Sequence, residues 1–200
     1  MIALRDNSAV VVGPGIYPML YAFFDDRGVL RQDPFRLQVD VALGTQAAGV
    51  AILGLGTEVS KLTFDERVEV LEVVAKRIDG CKPLLVTVYG DTITEQIEFS
   101  KRAIQSGASA LMLQPPSQKM DDAKLVGFFS EIISAVDCPV GIQNAPEFLG
   151  FGLSNQSLIA LANDHENFTI AKLECDAVNL ESVASALGDS VMLFNGRCGL

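Results

Sequence analysis

Short apolar runs alternate with longer amphipathic stretches along nearly the whole chain, and this alternation limits the possible folds more than any other feature. Successive apolar runs begin roughly thirty residues apart, which is the length of one strand–helix unit. Such alternation indicates a parallel sheet, either open or closed into a barrel. The runs predict strands at residues 16–20, 50–54, 83–88, 110–113, 139–143, 168–173 and 190–194.

Helix signals fill the intervals between these strands. Thr63 with Glu66, and Thr92 with Glu95, each have the spacing of a capping box, in which two side chains bond each other's backbone N–H groups. Gly80 lies where the C-cap of a helix is expected. The intervals predict helices at residues 34–48, 64–78, 94–106, 121–136, 155–164 and 177–187.

These elements predict an α/β fold, a (β/α)8 TIM barrel that is incomplete at its C-terminus. The run from Gly54 to Thr57 lacks the third glycine of a dinucleotide-binding fingerprint, which favours the barrel over an open sheet. A closed barrel needs eight strands, whereas about seven are predicted here. Residues 1–200 are therefore expected to form one (β/α) barrel domain that lacks the eighth unit, with an open, doubly wound sheet as the alternative.

Charge and cysteine usage narrow the partners and the compartment. A net charge of -10 argues against nucleic acid or an anionic membrane as the main partner, but leaves small anionic substrates open. No apolar run reaches the ~18 residues of a membrane span, and residues 1–12 lack a signal-peptide layout. Scattered buried thiols fit a reducing cytoplasm, and no CxxC pair suggests a disulfide scaffold or a zinc site. The cysteines are Cys81, Cys138, Cys175 and Cys198.

Lys172 is the most unusual residue of the predicted sheet, because it lies inside an apolar strand. Side chains alternate along a strand, so Phe168 and Ile170 are expected to share one face with Lys172. Burial on that face disfavours the charged amine and lowers the pKa of a lysine, by as much as ~3–5 units when burial is complete. A neutral amine attacks carbonyls and can form a Schiff base. The alternative is a lysine that reaches water or pairs with Glu174.

Histidine-based chemistry is not predicted. Chemistry in a (β/α)8 barrel gathers at the C-terminal ends of the strands, and the sole histidine, His165, precedes the sixth predicted strand at the opposite end. A metal-dependent aldolase, which needs a histidine cluster, and a Ser-His-Asp or Cys-His hydrolase are therefore disfavoured. No metal site is expected.

The loop from Gly54 to Glu58 follows the second predicted strand and has the composition of an anion site. Its two glycines free backbone N–H groups to point at a carboxylate or phosphate, and Thr57 adds a hydroxyl donor. An ordinary tight turn between strand and helix is the alternative. Pro115 and Pro116 follow the fourth predicted strand. Two interpretations are equally open: a rigid loop that lines a pocket, and a simple helix-breaking loop.

Four motifs in register resemble the dihydrodipicolinate synthase / N-acetylneuraminate lyase superfamily over roughly residues 13–200. The resemblance implies a (β/α)8 barrel, usually tetrameric, and Schiff-base lyase, aldolase or dehydratase chemistry on 2-oxo acids. It places the imine-forming lysine at Lys172, with this covalent imine in place of a cofactor, and the carboxylate-binding loop at residues 54–58. The motifs are Gly15-Ile16-Tyr17-Pro18-Met19-Leu20 with Phe24-Asp25 and Gly28, Gly54-x-Gly56-Thr57-Glu58 with Leu62-Thr63, Asn144-x-Pro146, and Lys172-x-Glu174.

Departures from the family pattern bear on the substrate. The catalytic tyrosine that usually precedes Asn-x-Pro is Gln143, and the arginine that dihydrodipicolinate synthases place beyond it is Phe148. These losses argue against a true dihydrodipicolinate synthase and against a standard neuraminate lyase. Two other pairs also differ: the adjacent threonines of the carboxylate loop are Leu55 and Gly56, and the tyrosines after strand four are Pro116 and Ser117.

The segments around Gln143 and Lys172 resemble the branch of 2-keto-3-deoxy sugar-acid dehydratases, such as the L-2-keto-3-deoxyarabonate enzyme. The predicted activity is therefore that of a dehydratase or aldolase acting on a small 2-oxo acid such as a 2-keto-3-deoxy sugar acid. The protein is expected to be a cytoplasmic homo-oligomer, a tetramer or dimer. A non-catalytic barrel that binds a 2-oxo or sugar acid, and a phosphate-binding barrel enzyme, are the alternatives.

The expected site follows from these assignments. Tyr89 and Glu174 are candidates for the group that moves the proton, although Tyr89 could equally pack at the rim and Glu174 could pair with Lys172. The predicted catalytic residues are Lys172, Gln143 and Tyr89, and the predicted substrate-binding residues are Gly54, Leu55, Gly56, Thr57, Glu174 and Asn195.

Overall fold

The computed structural model describes residues 11–196, and a parallel sheet forms its centre. Within that range, six strands follow one another in chain order, each hydrogen bonded to the next, and curl into a half-barrel. A doubly wound sheet reverses its strand order at a switch point, so this unbroken order contradicts the open-sheet alternative. The strands are β1 (Val50–Ile52), β2 (Leu84–Val88), β3 (Ala110–Leu113), β4 (Val140–Asn144), β5 (Phe168–Leu173) and β6 (Met192–Asn195).

Helices cover the convex face of the sheet, and their buried side chains form an outer cluster with every second strand residue. Large members of this outer cluster include Phe35, Leu71, Phe99 and Phe129, all fully buried. The helices are α1 (Gln32–Leu43), α2 (Phe64–Ile78), α3 (Ile93–Gln105), α4 (Asp122–Ser134), α5 (Pro146–Leu149), α6 (Asn155–Asp164) and α7 (Ala177–Leu187).

The two predicted capping boxes differ in the structure. At the start of α2, the Glu66 N–H donates to Thr63 Oγ1 and the Thr63 N–H donates to Glu66 Oε2, so the box is complete. At the start of α3, the Glu95 N–H donates to Thr92 Oγ1. The Glu95 carboxylate instead forms an ion pair with Arg67 at 2.7 Å. This second prediction was therefore half right.

A smaller inner cluster lies on the concave face of the half-barrel. Close approach is essential at Gly141, because an added Cβ would lie 2.8 Å from Met112 Cε and 2.9 Å from Ile170 Cβ. Phe168 belongs to the outer cluster instead. Its predicted place beside Ile170 is wrong, since the register between β4 and β5 shifts at Val140 and Gly141. The inner cluster consists of Val12, Ala51, Leu85, Ala110, Met112 and Ile170.

The predicted strand at residues 16–20 is reduced to one parallel bridge, from Met19 to Ala51. The Leu20 N–H donates to the Ala51 carbonyl, and the Ala51 N–H donates to the Pro18 carbonyl, both at 3.0 Å. Pro18 has no N–H to continue the ladder. The prediction of seven strands is therefore wrong for the described residues, which contain six strands and this bridge.

Two predicted elements end early for local reasons. β1 stops at Ile52 because Leu53 adopts a left-handed conformation, with φ of 61°. α1 ends at Leu43 rather than at residue 48, and the Thr45 hydroxyl donates to the Ala42 carbonyl just beyond it. Lys82 Nζ donates to three carbonyl oxygens of the same turn. These bonds satisfy carbonyl groups that a helix end leaves without partners.

Two further predictions concern surface and burial. None of the helices within residues 11–196 combines the length and apolar character needed to cross a membrane. Cys81 is exposed and Cys138 is half-buried, so the expectation of uniformly buried thiols is wrong for Cys81. Cys198 lies outside the described residues. His165 precedes β5 as expected, and its Nε2 lies 2.8 Å from Ser130 Oγ.

Candidate active site

Lys172 lies at the carboxyl end of β5 and faces the concave side of the sheet. Its register partners are Gln143 on β4 and Phe194 on β6. Lys172 Nζ donates to Glu174 Oε1 at 2.9 Å, and the two side chains are 22% and 10% exposed. The structure therefore contains the pairing with Glu174 that the sequence left open. This contact also places a carboxylate directly on the candidate nucleophile.

Gln143 is the second partner of the same carboxylate. Gln143 Nε2 donates to Glu174 Oε1 at 2.6 Å, and Gln143 Oε1 accepts a hydrogen bond of 2.8 Å from Gln114 Nε2. Both glutamines are buried. An amide that accepts at its oxygen must present its NH2 group on the other side. The bond from Gln114 therefore determines which end of Gln143 faces Glu174.

Gln114 is a site residue that was not predicted from the sequence, although its position carried a signal. Gln114 directly follows β3, and Gln143 and Glu174 occupy the corresponding ends of β4 and β5. Polar residues at the carboxyl ends of neighbouring parallel strands meet in space. The backbone of Gln114 is also fixed, because Gln96 Nε2 donates to its carbonyl oxygen and to that of Gly90, both at 2.9 Å.

The predicted anion loop forms a short 3-10 turn, Leu55–Thr57. The Thr57 hydroxyl is buried and donates to the Leu20 carbonyl at 2.6 Å, so it is not the anion donor that the sequence suggested. The Thr57 N–H donates to the Gly54 carbonyl. In the described part of the chain, the N–H groups of Leu55 and Gly56 have no backbone or side-chain acceptor. These two groups remain available to an anion.

Gly54 has a packing role in the same loop. Its N–H donates to Met19 Sδ at 3.2 Å, so this group is also not a free donor. A Cβ at this position would lie 2.3 Å from Met19 Cε. Gly54 therefore allows Met19 to pack against the end of β1, and a larger residue would displace it.

Tyr89 follows β2 and is not a member of the glutamine chain, the hydrogen-bonded series Gln114, Gln143, Glu174 and Lys172. The Arg67 guanidinium donates to the Tyr89 carbonyl and lies 5.9 Å from the centre of its ring. Burial, and then the negative charge of Asp91, raise the pKa of the Tyr89 phenol, although a hydrogen bond with Ser117 opposes them. A phenol with a raised pKa stays protonated near neutral pH, so this side chain can donate a hydrogen bond but is a weaker acid than an ordinary tyrosine.

A cavity of about 340 Å³ opens at the carboxyl ends of β1 to β4. Gln114 and Tyr89 both line it, so the glutamine chain begins at this cavity and ends at Lys172. Lys172 itself lines neither this cavity nor a larger one of about 940 Å³ near the opposite ends of the strands. The rest of the lining of the smaller cavity combines apolar and polar residues: Leu55, Glu58, Val59, Ser60, Lys61, Pro115, Pro116, Ser117, Phe148, Leu149 and Phe151.

The end of β6 completes the surroundings of Glu174. Asn195 is exposed and pairs in register with Leu173. An added Cβ at Gly196 would lie 2.6 Å from Glu174 Cγ and 2.8 Å from Glu174 Oε1. The missing side chain at Gly196 therefore leaves the space that the Glu174 side chain occupies.

Comparison of the sequence with known families gives one extensive match. Residues 14–199 match the profile described as "Dihydrodipicolinate synthetase family". A 4-hydroxy-tetrahydrodipicolinate synthase from Pelobacter propionicus is 27% identical over 84% of this chain and 59% of its own length. The L-2-keto-3-deoxyarabonate dehydratase of Azospirillum brasilense is 27% identical over 80% of this chain and 53% of its own length.

Solved structures show the same architecture. The crystal structure of Escherichia coli K12 YagE in complex with pyruvate has a TM-score of 0.86 and 26% identity, covering 91% of this chain and 63% of that one. Dihydrodipicolinate synthase from Aquifex aeolicus, at 22% identity, has the same TM-score over 91% of this chain and 63% of its own. This chain thus spans roughly three fifths of the length of these relatives, and the shared part includes the half-barrel.

Proposed function

Because the chain belongs to the dihydrodipicolinate synthetase family, we propose that it performs Schiff-base lyase chemistry on a 2-oxo acid, with Lys172 as the nucleophile. The observation that carries the proposal is the position of Lys172 at the carboxyl end of β5, between its register partners Gln143 and Phe194. Active sites of barrel enzymes lie at this end of the strands. The resemblance noted in the sequence places the family's imine-forming lysine at the same residue.

The reaction begins when Lys172 Nζ, after losing a proton, attacks the C2 carbonyl of the substrate. The protonated imine that results is an electron sink, and it acidifies the protons on C3. Loss of a C3 proton and of the β-hydroxyl group gives a dehydratase, whereas cleavage of C3–C4 gives an aldolase. The backbone N–H groups of Leu55 and Gly56 hold the C1 carboxylate. Asn195, at the carboxyl end of β6, also binds the substrate.

A 2-keto-3-deoxy sugar acid is the substrate class we propose. Support comes from the relative in Azospirillum brasilense, which is named for a dehydratase of such an acid. Phe148 lines the cavity at the position where dihydrodipicolinate synthases have an arginine, and this argues against the substrate of those synthases. Tyr89 and Gln114 offer polar groups at the same cavity.

One observation favours a second candidate, a non-catalytic protein that binds a 2-oxo acid. Lys172 is ion paired with Glu174 and lines neither cavity. A lysine held in this way can bind a carboxylate as a cation without forming a covalent bond. This second candidate predicts saturable binding of 2-oxo acids with no covalent product.

Borohydride trapping tests the proposal. The protein is incubated with pyruvate, reduced with sodium borohydride and analysed by intact-mass and peptide mass spectrometry. The proposal predicts one adduct, located on Lys172, that is lost in Lys172→Ala and retained in Lys101→Ala, a matched change of an exposed lysine. Pyruvate binding without an adduct would establish the second candidate, and an adduct that survives Lys172→Ala would contradict the assignment of the nucleophile.

A further inference from the structure

We propose that the cavity of about 340 Å³ selects a 2-keto-3-deoxy acid whose far end is apolar and uncharged, and that Phe148 makes this selection. The methyl group of a 2-keto-3,6-dideoxyhexonate is such an end. This inference rests on the proposed function and adds to it the chemistry of the distal carbons of the substrate. It is carried by the lining of the cavity, the bonds that fix its walls and the charges it contains.

The cavity adjoins the loop that is proposed to hold the C1 carboxylate. Leu55 belongs both to this loop and to the lining of the cavity. With C1 held at Leu55 and C2 bound to Lys172, the carbons from C4 onward extend into the cavity. Its volume is near the lower end of the ~300–1,000 Å³ of small-molecule sites. The cavity therefore has room for the last few carbons of a short acid.

One wall of the cavity is apolar and comes from the segment after β4. Phe148 and Leu149 end the short helix α5, and Phe151 follows them. Phe148 lines the cavity and is 61% exposed. An exposed aromatic ring gains free energy when an apolar group covers it, whereas a hydroxyl or carboxylate group loses hydration against the ring. Phe148 therefore favours a methyl group at the end of the substrate.

The segment that carries this wall is fixed at both ends. Asn144 Nδ2 donates to the Leu153 carbonyl, and the Leu153 N–H donates to Asn144 Oδ1, both at 2.9 Å. Within the segment, the N–H groups of Phe148 and Leu149 donate to the Ala145 carbonyl at 3.0 Å and 2.9 Å. The apolar wall is thus held in place before a ligand binds, which lowers the entropic cost of recognition.

A second part of the lining comes from the segment after β3 and has no free backbone donor. Pro115 and Pro116 have no N–H group. The Gln114 N–H donates to the Val88 carbonyl at 3.0 Å, and the Ser117 N–H donates to Asp91 Oδ1 at 2.8 Å. A distal carboxylate or phosphate therefore finds no backbone N–H group in this segment to bind it.

The charges in the lining cancel. Lys61 and Glu58 are the only charged residues among the described residues that line this cavity, and their side chains pair at 2.5 Å. Both side chains are mostly exposed, so water solvates the pair. An arginine at position 148, as in dihydrodipicolinate synthases, would supply a positive charge that the cavity lacks. A distal group without charge is therefore the one that fits.

Competition among three substrates tests the inference. The wild type receives, at equal concentrations, three six-carbon 2-keto-3-deoxy acids that share their configuration at C4 and C5. They differ at C6, which is a methyl, a hydroxymethyl or a carboxylate group. Mass spectrometry follows the loss of each acid, and the ratio of initial rates gives the ratio of kcat/KM for dehydration and aldol cleavage alike. An apolar pocket disfavours an added hydroxyl by up to ~10²-fold, so the methyl acid is expected to react at least about tenfold faster than the other two.

Phe148→Arg locates the selection. It is expected to abolish the preference for the methyl acid and to raise the relative rate of the carboxylate acid at least about tenfold, through hydrogen bonds between two charged groups. Phe23→Arg, a matched change of an exposed phenylalanine outside the lining, is expected to keep the wild-type ratio. Borohydride trapping with pyruvate, which has no distal carbons, is expected to give the same adduct in the wild type and in Phe148→Arg.

The outcomes separate this inference from the proposed function. A pyruvate adduct in the wild type without a preference for the methyl acid, or without consumption of any of the three acids, would overturn the inference alone. A preference for the methyl acid that survives Phe148→Arg would refute the role of Phe148. Should Phe148→Arg not fold, Phe148→Ser decides: a weaker preference supports the inference and an unchanged one refutes it. If the wild type forms no pyruvate adduct, the proposed function fails first, and the inference fails with it.

Discussion

Gln143 and Lys172 are register partners on adjacent strands, and both donate to the same oxygen of Glu174, at 2.6 Å and 2.9 Å. A charged amine on the concave face of a sheet would lose much of its hydration. The carboxylate and the amide compensate for this loss, since buried charges are tolerated when they are paired and hydrogen bonded. The presence of a lysine inside an apolar strand is therefore explained by Gln143 at the end of β4 and Glu174 just after β5.

Gln143→Leu tests how much this hydrogen-bonded arrangement stabilises the fold. The substitution leaves a buried amide on Gln114 and a buried carboxylate on Glu174 without their shared partner. Leaving buried polar groups unpaired costs about 1–3 kcal/mol, so the free energy of unfolding in urea is expected to fall by that amount. Gln105→Leu, on the exposed end of α3, is expected to change it by less than about 0.5 kcal/mol. Equal effects of the two substitutions would contradict the role of Gln143.

The buried ion pair of Arg67 is expected to contribute more to the free energy of unfolding than an exposed ion pair does. Its side chain is 6% exposed, and it bonds Glu95, the Tyr89 carbonyl and the Thr63 carbonyl. Arg67→Met removes these bonds and is expected to cost about 2–3 kcal/mol, somewhat less than for a fully buried pair, because Glu95 is 31% exposed.

The control for Arg67 is Arg102→Met, which removes an ion pair of 3.9 Å to Glu72 on the surface. Such pairs contribute about 0–1 kcal/mol. Urea unfolding of both variants checks the contrast. A cost for Arg102→Met that equals the cost for Arg67→Met would show that burial of the guanidinium has no special importance.

The sequence predicted the elements best where hydrophobic pattern and capping agreed. The bounds of α2, α6 and α7 match the prediction, as do those of β3 and β5. The first predicted strand failed because Pro18 lies within it and has no N–H for the ladder, a constraint that the prediction from apolar residues did not take into account. The face of Phe168 was wrong because a shift of register between two strands has no signature within one of them.

Only part of the site could be predicted from the sequence. Lys172 stands out because a charge inside an apolar strand needs an explanation, and its pairing with Glu174 was one of two readings. Hydrogen bonds from the Thr57 hydroxyl to Leu20 and from the Gly54 N–H to Met19 depend on a segment more than thirty residues away. Such contacts arise from the tertiary fold, so no local pattern reveals them.

Acid stability depends in part on Asp91. The Ser117 N–H donates to Asp91 Oδ1 at 2.8 Å and, together with the Ser117 hydroxyl, lowers the pKa of this carboxyl. A carboxyl whose pKa is lower in the folded state stabilises the fold above its unfolded pKa of about 3.9, and this contribution is lost as the pH falls further. Asp91→Asn is therefore expected to show a smaller loss of stability between pH 5 and pH 2 than the wild type.

Urea unfolding across this pH range makes the measurement for Asp91. Asp26→Asn, which removes the same charge from an exposed loop position, is the control and is expected to follow the wild type. If both variants follow the wild-type pH dependence, the bond from Ser117 has no energetic consequence.

Cys138 and Cys81 are expected to differ in reactivity. Burial, and then the charge of Asp137, raise the pKa of the Cys138 thiol to about 11, whereas Cys81 is exposed. The thiolate is the reactive species. Iodoacetamide at pH 8 is therefore expected to label Cys81 at least about tenfold faster than Cys138, as measured by peptide mass spectrometry. Similar labelling of the two thiols would mean that Cys138 is far more accessible than described.

A crystal structure of the protein soaked with pyruvate tests the central claim most directly, because it shows the covalent bond and the carboxylate site together. The predicted result is continuous electron density from Lys172 Nζ to C2 of pyruvate, with its carboxylate on the N–H groups of Leu55 and Gly56. Pyruvate bound elsewhere, or bound without a covalent link while Lys172 stays paired with Glu174, would contradict the account.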